Sequence, residues 1–209
     1  MRHLFLSVAW RIYAMWSNFY SSLEESLFLD NDGFLRKYED QEYVSLSRKD
    51  AWRFYTKEFL MLFHYGRDRW YMGFDVMSSP VRFVNRKEGD CDDFARLGRY
   101  FFGERFCLSD KLKQNEAQYV FEGFYCMKFE TGGHCIAVWK CLSCCFPKYF
   151  VVENDEVLTF TEDEDFIRIH EKLFGKIEAI GVLSFDERKD KLSYSRTYTV
   201  AGSRLRRES

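Results

Sequence analysis

The apolar residues of this chain change their period near Gly103, and that change limits the fold more than any other feature. Before the glycine they recur at helical spacing. Leu4, Val8, Ile12, Met15, Trp16 and Phe19 form a stripe over residues 4–28. Trp52, Tyr55, Phe59, Leu60 and Phe63 form another from Arg48 to about His64, with Gly66 placed to stop it. Residues 66–90, which hold Trp70, Gly73, "SSP" and Gly89, read as irregular. Phe94, Leu97 and Phe101 then share one face of a helix from Cys91 to Phe102, closed by Gly103. Beyond it, "AQYVFEGFYCMKF" and "HCIAVWKC" are strand-like runs joined by the short turn "ETGG". "KYFVVENDEVLTF" predicts a third and a fourth strand, residues 162–174 a helix with an acidic start, and "KIEAIGVLSF" a further strand. Helices first and an antiparallel sheet afterwards predict an α+β domain.

A chain of 209 residues is long enough to bury one sizeable core, and its two prolines and lack of a Gly/Ser-rich stretch give no linker. The reading is a single domain over residues 1–202, with a helical N-terminal part (1–65) and a core (66–185). The basic "SRLRRES" of residues 203–209 is expected to fray. A net charge of −2 argues against nucleic acid and anionic membranes as partners. "LFLSVAW" is too short for a membrane span and lacks the small-residue cleavage site of an export signal. With seven cysteines, an odd number, the expectation is a soluble, cytoplasmic protein whose thiols stay reduced.

The chemistry gathers at "KEGDCDDFARLGRYFFG", residues 87–103. Cys91 stands at the first turn of the helix, between Asp90 and the pair Asp92 and Asp93. A helix N-terminus favours the thiolate, because the positive end of the dipole faces it. Three carboxylates oppose that charge, so activation requires an imidazole. His3, His64 and His170 lie at the terminus or within helical patterns. His134 instead follows Gly132 and Gly133 and opens a strand. The next strand ends in Glu153 and Asn154, either of which would orient an imidazole. Adjacent strand residues face opposite ways, so one of the two serves.

The aspartates also cap and solvate the helix start. Their alternative use is a Ca²⁺ site of hard oxygen ligands at Asp90, Asp92 and Asp93. Cys141, Cys144 and Cys145 of "CLSCC", with Cys135, fall short of the paired ligands of a structural zinc site and read as a turn. No metal is expected at the catalytic residues.

This order and wording resemble the transglutaminase-like, papain-fold cysteine peptidase superfamily, in particular its bacterial and phage-type members. The likeness spans roughly residues 66–160 and is strongest in "GDCDDFA". It implies a papain-like or transglutaminase-like fold, with the nucleophile helix packed on an antiparallel sheet. Cys91 takes the nucleophile position and His134 the base position. Glu153 stands where the family carries aspartate, and Asn154 matches the asparagine of papain relatives. The backbone N–H of Cys91 would be one oxyanion donor. Asn85 or the Trp70 indole would be the second, with Asp90 and Asp92 flanking the cleft.

The activity implied is hydrolysis of a peptide or amide bond in a protein or peptide substrate, through a thioester on Cys91. An amine in place of water would make the protein a transamidase. A catalytically silent relative would be a protein-binding module, as in viral or phage assembly, acting in a host cytoplasm.

Overall fold

A computed structural model describes residues 2–27, 61, 63–66, 77–103, 105–107, 118–130, 132–142, 147–154, 156–186, 191–201 and 204–207. Helix α1 (Arg2–Leu27) leads, followed by the short strand β1 (His64–Tyr65), helix α2 (Pro80–Arg86) and strand β2 (Glu88–Gly89). Helix α3 (Cys91–Phe102) comes next, then β3 (Arg105–Cys107), β4 (Gln118–Phe129), β5 (Gly133–Cys141), β6 (Tyr149–Glu153) and β7 (Glu156–Phe160). Helix α4 (Asp163–Phe174) and strands β8 (Ile177–Asp186), β9 (Lys191–Ala201) and β10 (Arg204–Arg207) complete the described residues.

The main sheet is antiparallel and runs in the order β10-β9-β8-β4-β5-β6-β7, with β3 paired to β4. β1 and β2 form a separate parallel pair. The molecule is therefore α+β, as the change of period predicts.

Because side chains alternate along a strand, the sheet has two apolar faces, and each carries its own core. On one face Cys126, Cys135, Ala137, Trp139, Phe150 and Val152 meet Phe94, Ala95 and Leu97 of α3. On the other, Tyr125, Met127, Ile136, Val138, Tyr149 and Val151 meet Phe166 and Ile167 of α4. Among the described residues, Trp139, Phe150 and Phe94 fill one layer and Tyr125, Tyr149 and Phe166 the other, while Phe19, Tyr65 and Tyr100 are exposed.

Three departures from the sequence reading have clear causes. The "SSP" stretch, read as irregular, starts α2: the Ser79 hydroxyl accepts from the Arg82 N–H at 3.3 Å, and Pro80 takes a first-turn position needing no N–H. His64, read as the end of a helix, lies in β1, where its N–H donates to the Lys87 carbonyl at 2.8 Å. Residues 48–60 of that expected helix lie outside the described residues, as does Trp70.

The basic tail, expected to fray, instead supplies β10. Arg204–Arg207 pair with Tyr198–Ala201, and Leu205 packs on the α4-side core. An edge strand leaves backbone groups unpaired, and β10 satisfies those of β9. The sheet accordingly continues past residue 185 through β9 and β10. Among the described residues, no helix is long and apolar enough to cross a membrane.

Candidate active site

Cys91 is the first residue of α3, with Asp90 as the N-cap in extended conformation. The Asp90 side chain makes no capping hydrogen bond. The other two carboxylates tie α3 to its surroundings. Asp92 accepts from the Tyr13 hydroxyl of α1 through Oδ2, and Asp93 Oδ1 accepts from the Ser78 N–H at 2.7 Å. Both are buried, at 3 % and 1 % exposure. Carboxylate oxygens of Asp90, Asp92 and Asp93 lie within 4.8 Å of one another, a spacing that a metal ion could bridge.

The Cys91 sulfur meets β5 at its start, accepting from the Cys135 N–H at 3.3 Å. The register explains why that N–H is available. The β5–β6 ladder ends at Ala137↔Val152, and two residues further it would set Cys135 opposite Asn154. At Asn154 the chain instead turns away, with φ at +48°. Strand N–H groups lie near the plane of the sheet, and the β4 side of Cys135 is filled by its partner Cys126. Cys91 Sγ thus takes the place of a missing β6 acceptor, near the sheet plane at its open edge.

His134 precedes Cys135, and its ring falls on the α4 face. It stacks on Phe174 with ring centroids 4.5 Å apart. Its Nε2 lies 3.0 Å from Glu153 Oε1. Glu153 shares that face, because Tyr149 and Val151 of the same strand pack there. The other carboxylate oxygen, Oε2, lies 3.1 Å from Nε2 of His170 on α4. His170 Nδ1 in turn lies 2.7 Å from the Phe166 carbonyl oxygen.

Three buried side chains therefore form one chain of hydrogen bonds, His134–Glu153–His170, at 5 %, 6 % and 0 % exposure. Burial pushes the Glu153 carboxyl up. The hydrogen bonds from both histidines more than offset that and hold it at about 2.

The sequence-predicted residues divide accordingly. His134 and Glu153 are brought together. Asn154 occupies a left-handed turn with its Oδ1 buried and unpartnered, so of the adjacent pair Glu153 is the one against His134. Asn85 lies exposed on α2. The thiol and the imidazole flank the same strand: Cys91 arrives from the α3 face while the His134 ring lies on the α4 face. Sequence order alone does not separate these faces.

Beside Cys91, Cys135 Sγ lies 2.9 Å from Cys126 Sγ. Burial and the neighbouring Cys126 push the Cys135 thiol well up, so it is a poor nucleophile.

From sequence His170 is only a histidine within a helical pattern, whereas the fold makes it the second partner of Glu153. A signal was present: it stands four residues after Phe166 and four before Phe174, on the apolar stripe of α4. A titratable ring on a core-facing stripe needs a buried partner.

No family model matches the sequence, and no curated protein or solved structure is found similar to it.

Proposed function

We propose that this protein is a cysteine-dependent acyl-transfer enzyme of transglutaminase-like, papain-like architecture. In this reading it hydrolyses a peptide or amide bond through a thioester on Cys91. One observation carries the proposal. The Cys91 sulfur accepts the N–H of Cys135, the residue next to His134, and His134 is already paired with Glu153.

In this reading the chemistry is acyl transfer through the thiol. The sulfur lies near the sheet plane and the His134 ring on the α4 face. The thiol proton therefore passes round the edge of β5, through one water, to His134 Nδ1, Nε2 being committed to Glu153. The thiolate, held at a helix N-terminus and by the Cys135 N–H, attacks the substrate carbonyl. The Cys91 N–H stabilises the oxyanion. His134 returns its proton to the leaving amine, and water then cleaves the thioester with His134 again as base.

The test is the pH dependence of Cys91 alkylation by iodoacetamide in wild type and His134→Ala, with peptide mapping to separate the other thiols. The expected wild-type profile shows thiolate well below the ~8.5 of an ordinary cysteine, and the substitution abolishes it. A profile like that of an ordinary thiol, unchanged by the substitution, overturns the proposal.

Burial of the His134 ring beneath Phe174 favours a second reading, in which the chain is a protein-binding module built on an enzyme's architecture. The same measurement separates the two.

A further inference from the structure

The protons around Glu153 cannot be placed if both histidines are neutral and the carboxyl is ionised. His170 Nδ1 lies 2.7 Å from the Phe166 carbonyl oxygen, which has no hydrogen to give, so Nδ1 carries one. A neutral ring would then point the bare lone pair of Nε2 at Glu153 Oε2, 3.1 Å away. Two acceptors at that distance repel, so a proton lies between them. The contact between His134 Nε2 and Glu153 Oε1, at 3.0 Å, needs a proton as well. The hydrogen bonds from both imidazoles hold the Glu153 carboxyl low and keep it ionised, so both protons sit on nitrogen.

His170 is wholly buried, with the Phe166 ring 4.4 Å and the Phe160 ring 5.9 Å from its own. The ionisable groups acting on Glu153 are His134 from β5 and His170 from α4.

We infer that His170 is a positioning residue of this site, a buried imidazolium that holds one oxygen of Glu153 so that the other fixes the Nε2–H tautomer of His134. Its role in catalysis rests on the acyl-transfer reading, but its protonation does not. The charge balance differs from that of a simple Cys–His–carboxylate relay. Before the thiol proton is transferred, His134, Glu153 and a doubly protonated His170 sum to zero. After the thiol proton moves to His134 Nδ1 the array carries a single positive charge.

The experiment is ¹⁵N NMR of the histidine side chains in the full-length chain at pH 7, for wild type, Glu153→Gln, His170→Gln and His170→Leu. The expected wild-type spectrum shows both His170 nitrogens protonated and, once Cys91 is alkylated so that no thiol proton reaches Nδ1, His134 as the Nε2–H tautomer. In Glu153→Gln, His170 loses one of its two protons. In His170→Leu the His134 tautomer is no longer fixed, and Cys91 alkylation slows by about tenfold or more, the scale of losing an orienting partner. His170→Gln keeps an N–H donor for Glu153, so it restores the tautomer and most of the rate.

A wild-type His170 with one protonated nitrogen overturns the inference. So does a His134 tautomer that stays fixed in folded His170→Leu. If the spectra are as expected while Cys91 reacts as an ordinary thiol, the acyl-transfer reading fails and the assignment of His170 as the residue positioning His134 stands.

Discussion

Glu153 accepts from two imidazoles on the same buried face, and this makes it one of the residues through which acid reaches the fold. Its folded-state pKa of about 2 lies below the ordinary 4.5. The sign follows from linkage. A carboxyl depressed in the folded state contributes stability that is complete above about pH 4.5 and is lost as pH falls toward 2, on the order of 3 kcal/mol in all. In Glu153→Gln this acid limb disappears: the urea midpoint is lower than wild type at pH 7 but declines less between pH 4.5 and 2.5. Urea melts across that range check it, and parallel declines in the two proteins would show that the limb arises elsewhere.

The same scale answers why a thiol stands among aspartates. Asp92 and Asp93 are structural anchors, one taking the Tyr13 hydroxyl and the other the Ser78 N–H, and both are buried. Their types and spacing are legible in "GDCDD", but their partners lie in segments far away along the chain.

At the scale of elements, the site depends on how closely α3 lies on the sheet. Gly98 sits against β6, where an added Cβ would come within 2.6 Å of Val152 Cγ1 and 2.9 Å of its Cβ. Only a residue without a side chain lets the helix approach there. Gly98→Ala is expected to destabilise the protein by about 1–3 kcal/mol through overpacking, lowering its thermal midpoint. Adding Val152→Ala removes the atoms in conflict and recovers part of the loss, and thermal melts of the single and double variants check the coupling.

Element types were largely legible from period. The long apolar stripe gave α1, the Phe94/Leu97/Phe101 face gave α3, and alternation with β-branched and aromatic residues gave β4 to β8. The short α2 was not, because its seven residues are too few to establish a period. Its signal was instead the cap, Ser79 followed by Pro80.

At the scale of the whole molecule, the first helix is fastened to a strand near the end of the described chain. The Asn18 amide pairs with both backbone groups of Leu192: Nδ2 donates to its carbonyl at 2.8 Å, and Oδ1 accepts from its N–H at 2.7 Å. Trp10 lies so close to β8 that a Cβ on Gly181 would fall 2.5 Å from its indole. Asn18→Ala leaves two part-buried backbone groups of β9 without these partners and is expected to cost about 1–3 kcal/mol. Hydrogen exchange is expected to rise at Leu192 and its neighbours. Unchanged exchange there would show that α1 does not hold β9.

The sequence by itself determined the class, α+β. It also placed Cys91 at a helix start, His134 at the opening of a strand and a polar pair at the end of the next. All of these follow from local period, caps and turns, which act over a few residues.

The tertiary structure alone decided which polar group meets which. The turn at Asn154 withdraws β6 and frees the Cys135 N–H for the sulfur. Strand alternation and register bring Glu153 against His134, and packing of α4 delivers His170 to the same carboxylate. Register and helix docking are set by burial summed over the whole sheet, and no short stretch of residues carries that sum.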